Sequence, residues 1–206
     1  MAQKRSSKRS KKSARPERAY LRHAGWILAG GCWLFLIISL AGFNQADWPS
    51  PSVSTHNDPV ANPTGIVGAT VAYWTLASLG MTAWVLLAGA LVALVALARG
   101  KELSHPIVRI FGVVLIGLAI GILDVTWFGG LSGTPTTPGG LIPEFFANHL
   151  LERFNGVGVT LWMLTALAIG TIVAADELLL KIPSIAQLSE RGAHLVQFVP
   201  PRQIGM

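Results

Sequence analysis

Read for apolar and polar positions, the chain divides into four long apolar stretches separated by polar or turn-rich segments. A helix that crosses ~30 Å of hydrocarbon at 1.5 Å per residue needs about 20 mainly apolar residues. The first such stretch runs from about Ala24 to Phe43, with no formal charge from Ala24 to Ala46. The second lies in the uncharged interval from Pro59 to Ala98, which is too long for one span, and its membrane part is placed at about Leu79 to Ala98. The third runs from about Ile107 to Trp127 and holds one carboxylate, Asp124; the fourth runs from about Gly158 to Leu178. The pattern therefore predicts an all-α integral membrane protein, a bundle of four transmembrane helices.

The segments between the spans carry a second pattern. Pro63-Thr64-Gly65-Ile66-Val67 aligns with Pro138-Gly139-Gly140-Leu141-Ile142 at an offset of 75 residues, and the match continues at Ala72/Ala147 and Leu76/Leu151. The repeat predicts two tandem helical hairpins, each with a short amphipathic surface helix leading into its second span. The second surface helix is the clearer. Pro143 suits a first helical turn and Glu144 the positive end of the helix dipole, while Phe146, Leu150 and Phe154 recur every four residues. Such a helix lies in the headgroup layer or across the top of the bundle. Small residues recur within the spans at Gly89/Ala93, Gly117/Gly121 and Ala166/Gly170/Ala174, spacings that let helix backbones approach closely.

Composition and charge agree with lipid as the solvent. Hydrophobic residues make up 51% of the 206 residues and charged residues 13%, against roughly 25% charged in soluble domains. Nine of the sixteen Lys and Arg residues precede Ala24, so the net charge of +6 describes a tail. That tail, with Lys4, Arg5, Lys8, Arg9, Lys11 and Lys12 among serines, reads as a disordered segment held to anionic lipid. The division of the chain is thus a basic cytoplasmic tail over 1–22, a membrane domain over 23–180 and a cytoplasmic tail or linker over 181–206. The loops near 44–78 and 128–157 hold only Arg153, so both termini are expected in the cytoplasm and both loops outside. The first apolar run is too long for a signal peptide core. Ala29-Gly30-Gly31-Cys32 lies too early in that run for a lipoprotein cleavage box, and Cys32 reads as a small helix-packing residue.

Candidate chemistry is sparse. Gly100-Lys101 is followed by Glu102 without the upstream glycine of a phosphate loop, so no ATPase motor is encoded in this stretch. Neither H-E-x-x-H nor C-x-x-C is present, and no catalytic residue, metal or cofactor is expected. Asp124 is the one acidic group within an apolar run, which makes ion or proton coupling by a small four-helix transporter or channel an alternative reading. An unrelated membrane protein with an interaction role is another.

Several motifs, in order, give the chain a resemblance. Asn44-Gln45-Ala46-Asp47-Trp48-Pro49-Ser50 follows the first span. Asn62-Pro63-Thr64-Gly65-Ile66-Val67-Gly68-Ala69 then leads to Leu79-Gly80, and Gly139-Gly140 leads through Phe154-Asn155 to Gly158-Val159-Thr160. This arrangement resembles the N-terminal four-span membrane region of the FtsK/SpoIIIE DNA translocases over about residues 20–180. Pro143 stands where a glycine is usual and Tyr73 where an aspartate is common. The resemblance implies a membrane anchor and scaffold at the division septum of the inner membrane, acting in cell division and chromosome partition. It implies a homo-oligomer that meets other division proteins, and DNA only through a motor on a longer or separate chain. The motif positions it singles out are Asp47, Asn62, Gly65, Gly68, Ala69, Gly80, Gly139 and Gly140.

Overall fold

The computed structural model describes residues 7–99, 105–131, 134 and 136–174, with the side chains of 7–19 and 21–23 excepted. Among them the regular elements are all helices: α1 (Ser7–Ala41), α2 (Gly65–Leu79), α3 (Met81–Ala98), α4 (Pro106–Phe128) and α5 (Leu141–Ala174). Four helices, α1, α3, α4 and α5, are long and apolar enough to cross a membrane, and α2 is a shorter apolar helix. The span boundaries follow the apolar runs because backbone groups in lipid must bond within their own segment. The expected last residues of the fourth span, and Lys4, Arg5 and the segment 181–206, lie outside the described residues.

One boundary differs. Helix α1 begins at Ser7, so the backbone that carries Lys8, Arg9, Lys11 and Lys12 is helical where a disordered tail is expected. Lysine, arginine and alanine are good helix formers, and the span beyond them supplies the nucleus that a short helix in water lacks.

The core falls into two clusters. Leu40 of α1, Ala72 and Leu76 of α2 and Ala83 and Leu87 of α3 form one; Ala119 and Ile122 of α4 and Ala147, Val159 and Met163 of α5 form the other. Trp33 of α1 donates its indole N–H to the Leu87 carbonyl at 2.9 Å, which fixes α1 against α3 within the span. Helix α5 is two helices joined at Asn155, whose φ of 52° and ψ of 173° break the helical path; α2 and α3 are likewise joined at Gly80, with φ 50° and ψ −128°. Gly80 and Asn155 stand 75 residues apart, as do Gly65 (φ 72°) and Gly140 (φ 85°) at the starts of α2 and α5. The same offset relates Ala72 and Ala147, both fully buried. The offset seen in the sequence is therefore carried by the backbone.

The first part of α5 seats its small residues, not its aromatic ones, against α4. Pro143 and Ala147 are buried, whereas Phe145, Phe146 and Phe154 are exposed. The small face wins because it seats closely on α4: a Cβ at Gly121 would meet Pro143 Cγ at 2.9 Å. The phenyl rings are left to the apolar layer around the bundle, where burying them in protein gains little.

Glycines set the approach of the spans. A Cβ at Gly112 would meet the Gly170 carbonyl oxygen at 2.8 Å and the Ala174 nitrogen at 2.7 Å, and one at Gly170 would meet Ile116 Cγ1 at 2.8 Å. Without a hydrophobic force between helices in lipid, this close contact is what holds α4 to α5. Replacing Gly112 by leucine is expected to force the two helices apart and to cost about 2 kcal/mol. Thermal unfolding in detergent checks this; an unchanged midpoint would remove the Gly112–Gly170 contact as a stabilising feature.

Candidate interaction site at the loop end of the bundle

Residues 42–64 and 129–140 link α1 to α2 and α4 to α5, and the motif positions gather at this end. Asp47 is buried, at 2% exposure, without a basic partner among the described residues. Its carboxylate instead accepts three hydrogen bonds. Ala61 N–H and the Asn57 side-chain amide donate to Oδ1 at 2.9 and 2.8 Å, and Asn62 N–H donates to Oδ2 at 2.9 Å. Burial alone pushes the Asp47 carboxyl up, but the bonds from Ala61, Asn57 and Asn62 outweigh it and hold the group below its ordinary value.

Asn62 carries this order to the helices. Its amide donates to the carbonyls of Ser39 and Gly42 at 2.9 and 3.1 Å, filling acceptors that the end of α1 leaves unpaired. Its own Oδ1 accepts from Thr64 N–H at 3.0 Å and from Thr64 Oγ1 at 2.6 Å, which shapes the turn into α2. Gly68 lies one turn into α2, where a Cβ would sit 2.9 Å from Ser39 Oγ. Asp47 orders the loop, and Asn62 then ties the end of α1 to the start of α2.

The second junction joins the two core clusters. A Cβ at Gly80 would fall on the carbonyl oxygen of Gly139, and one at Gly140 would fall on the Gly80 nitrogen and lie 2.6 Å from the Leu79 carbonyl carbon. Thr137 Oγ1 donates to the Ala77 carbonyl at 3.0 Å, near the end of α2. Thr134 and Thr137 bridge each other through paired backbone bonds of 3.1 Å, and Gly140 N–H donates to the Thr137 carbonyl at 3.0 Å. The loop before α5 is thus folded on itself and pressed against the break between α2 and α3. Deeper down, Thr82 Oγ1 donates to the Gly117 carbonyl at 2.9 Å, joining α3 to α4.

Asp124 is buried near the end of α4, and both carboxylate oxygens accept from Leu131 N–H, at 3.2 and 3.0 Å. The carboxylate faces the returning loop, so its visible partner is structural. Trp127 donates its indole N–H to Thr160 Oγ1 at 2.9 Å, across to α5.

The structure brings Asp47 and Asn62 together in one network, and Gly80, Gly139 and Gly140 in one contact. Gly68 and Ala69 lie on the inner side of α2. Gly65 starts that helix with nothing within 4 Å of its Cβ position. Gly117 and Gly121 face Thr82. Cys32 is exposed. Ser39, Asn57, Thr64, Thr82 and Thr137 complete these junctions without having been singled out in the sequence. Only the short polar side chains flanking Pro and Gly hinted at some of them.

The family profile described as the 4TM region of DNA translocase FtsK/SpoIIIE matches residues 18–183. No solved structure matches the chain.

Proposed function

Since this chain belongs to the family defined by the 4TM region of DNA translocase FtsK/SpoIIIE, we propose that it is the membrane anchor and scaffold of a DNA translocase at the division septum. The observation that carries the reading is the family match over all four spans, together with a loop end whose polar groups are spent on holding shape. A buried carboxylate saturated by backbone and amide donors stabilises a fixed surface; it has little capacity left for proton transfer or ion binding. Such a domain supplies position. ATP hydrolysis and DNA movement belong, in this reading, to a motor on a longer or separate chain, because these residues hold no Gly-x-x-x-x-Gly-Lys-Ser/Thr loop.

The Lys and Arg asymmetry supports an inner-membrane orientation with both termini in the cytoplasm and the two loops outside. The loops are then the surface offered to other division proteins, while the lipid bilayer holds the spans and DNA is met only through the motor. A fluorescent fusion to the C-terminus is expected to form a band at midcell in dividing cells, in the absence of any attached motor. An even envelope signal from an intact fusion would overturn the septal role.

A further inference from the structure

The segments 44–78 and 128–157 carry a single Lys or Arg, Arg153, which stands beside Glu152 on the first part of α5. Sequence neighbours do not face each other on a helix; partners come three or four positions away. One turn back, Arg153 finds His149 and Leu150, and Glu152 finds Asn148 and His149. Just beyond them the helical path breaks at Asn155. Neither side chain therefore has an opposite charge to pair with along its own helix. Both are exposed, and neither makes a hydrogen bond or ion pair among the described residues.

The segment is slanted against α4. Pro143 lies on Gly121, whereas the Cβ position of Gly156 is 3.7 Å from the Trp127 ring, and Thr160 accepts from the Trp127 indole. Gly121 and Trp127 are about 9 Å apart along the α4 axis at 1.5 Å per residue. The first part of α5 thus rises toward the loop end as it runs. Its outward face is sorted along that rise. Ile142, Phe145 and Phe146 stand exposed on the deep half, and His149, Glu152 and Arg153 stand exposed on the shallow half. Pro143 and Ala147 are buried on the side away from them. The His149 ring lies parallel to that of Phe145, at 1° with centroids 6.4 Å apart, where the two halves meet.

A face with aromatic rings below and a carboxylate beside a guanidinium above has the polarity of a lipid leaflet. A long basic side chain near a span end lays its stem on apolar surface and brings its charge to the headgroup layer. There a guanidinium takes a phosphate through two parallel N–H bonds. A primary ammonium offers a carboxylate three N–H donors, and a quaternary ammonium offers none. Arg153 and Glu152 are together complementary to a head that holds both charges. The Glu152 carboxylate counts against a purely anionic head.

We infer that this face of α5 binds a phospholipid of the leaflet at the loop end, one whose head carries a phosphate and a primary ammonium. Arg153 and an imidazole N–H of His149 donate to the phosphate oxygens, and Glu152 accepts from the ammonium. An acyl chain then lies along Phe146, Phe145 and Ile142 toward the bilayer centre. The lipid adds to a helix that Pro143 and Ala147 already seat on α4, so it is bound by a surface formed in advance. The site needs only that α4 and α5 span the bilayer, and it stands apart from the septal reading.

Native mass spectrometry of the full-length chain, released from micelles holding equal amounts of phosphatidylethanolamine and phosphatidylcholine, tests this. Neither lipid has a net charge, so the basic tail does not choose between them. The natural chain is expected to retain the ethanolamine lipid severalfold more often than the choline lipid. Arg153→Gln should lower the retained lipid about tenfold, the loss of a charged hydrogen-bonded contact. Glu152→Ala should leave lipid bound but bring the two lipids to parity. Unfolding midpoints of the three chains in lipid-free detergent should coincide, since Glu152 and Arg153 bond nothing within the described chain. Equal retention of the two lipids by the natural chain would overturn the proposal. So would retention unchanged by Arg153→Gln, or a preference that survives Glu152→Ala. Glycerophosphoethanolamine, the same head without acyl chains, should not displace the lipid at equal concentration; displacement would assign the site to a soluble head and overturn the lipid.

Discussion

Replacing Gly80 by alanine is expected to be a severely damaging single-methyl change, lowering stability by about 4 kcal/mol. Two effects act at the same atom. The backbone at φ 50° and ψ −128° lies where an L side chain costs on the order of 1–3 kcal/mol. The added Cβ would also fall on the Gly139 carbonyl oxygen, a backbone atom that cannot swing aside as a flexible side chain would. Relief requires the loop before α5 to lift from the α2–α3 break, which strains the Thr137 bond to Ala77 and the seating of α5 on α4. Gly25→Ala is the matched control, with nothing within 4 Å of the new methyl. Thermal unfolding in detergent should show a large drop for Gly80→Ala and none for Gly25→Ala. Equal midpoints for both variants and the natural protein would show that the Gly80–Gly139 contact does not hold the loop before α5 against the α2–α3 break.

The second large effect belongs to Asp47. Asparagine has nearly the same shape but one acceptor oxygen in place of two, and its amide group adds donors where Ala61, Asn57 and Asn62 already donate. At least one buried N–H is then unpaired, at about 1–3 kcal/mol, and the charged character of the remaining bonds is lost. The total expected for Asp47→Asn is about 3 kcal/mol at neutral pH. Its pH dependence has a definite sign. The folded carboxyl is held below its ordinary value, so its contribution is complete above the unfolded value of about 4 and disappears as pH falls through the lower folded one. The stability gap between natural protein and variant should therefore be full at pH 7 and close on strong acidification. Paired unfolding curves across that range measure it. A gap that stays constant into acid would show that the variant fails for a reason other than the lost carboxylate.

Much of the fold was legible because membrane spans are a local property. Uncharged runs such as Ala24 to Ala46 must cross or be buried, whatever else the chain does, since lipid offers no partner to an open backbone. The starts of α3 and α4 fell within two residues of expectation for that reason. The offset between Gly65 and Gly140 was also readable, because positive φ favours glycine and so leaves a mark in the sequence. Gly80 was marked in the same way, yet its partner at Asn155 was not, since asparagine also tolerates that hand of backbone.

The motif positions were found without their roles. Asp47 and Asn62 were visible as residues, but that Asp47 holds the loop and Asn62 joins α1 to α2 depends on partners up to 23 residues away. The aromatic spacing of α5 marked an apolar face without saying which side meets α4, and that side proved to carry the small residues Pro143 and Ala147. Periodicity ranks residues by hydrophobicity, whereas in lipid the inner face is decided by how closely backbones can approach. Span number, span limits and class were thus set by the sequence alone, through apolar length against bilayer thickness. The Asp47–Asn62 network, the Gly80–Gly139 crossing and the Thr82 bond that joins α3 to α4 were decided only in the tertiary structure. Those features depend on which atoms meet across the chain, and no local sum of residue preferences contains that information.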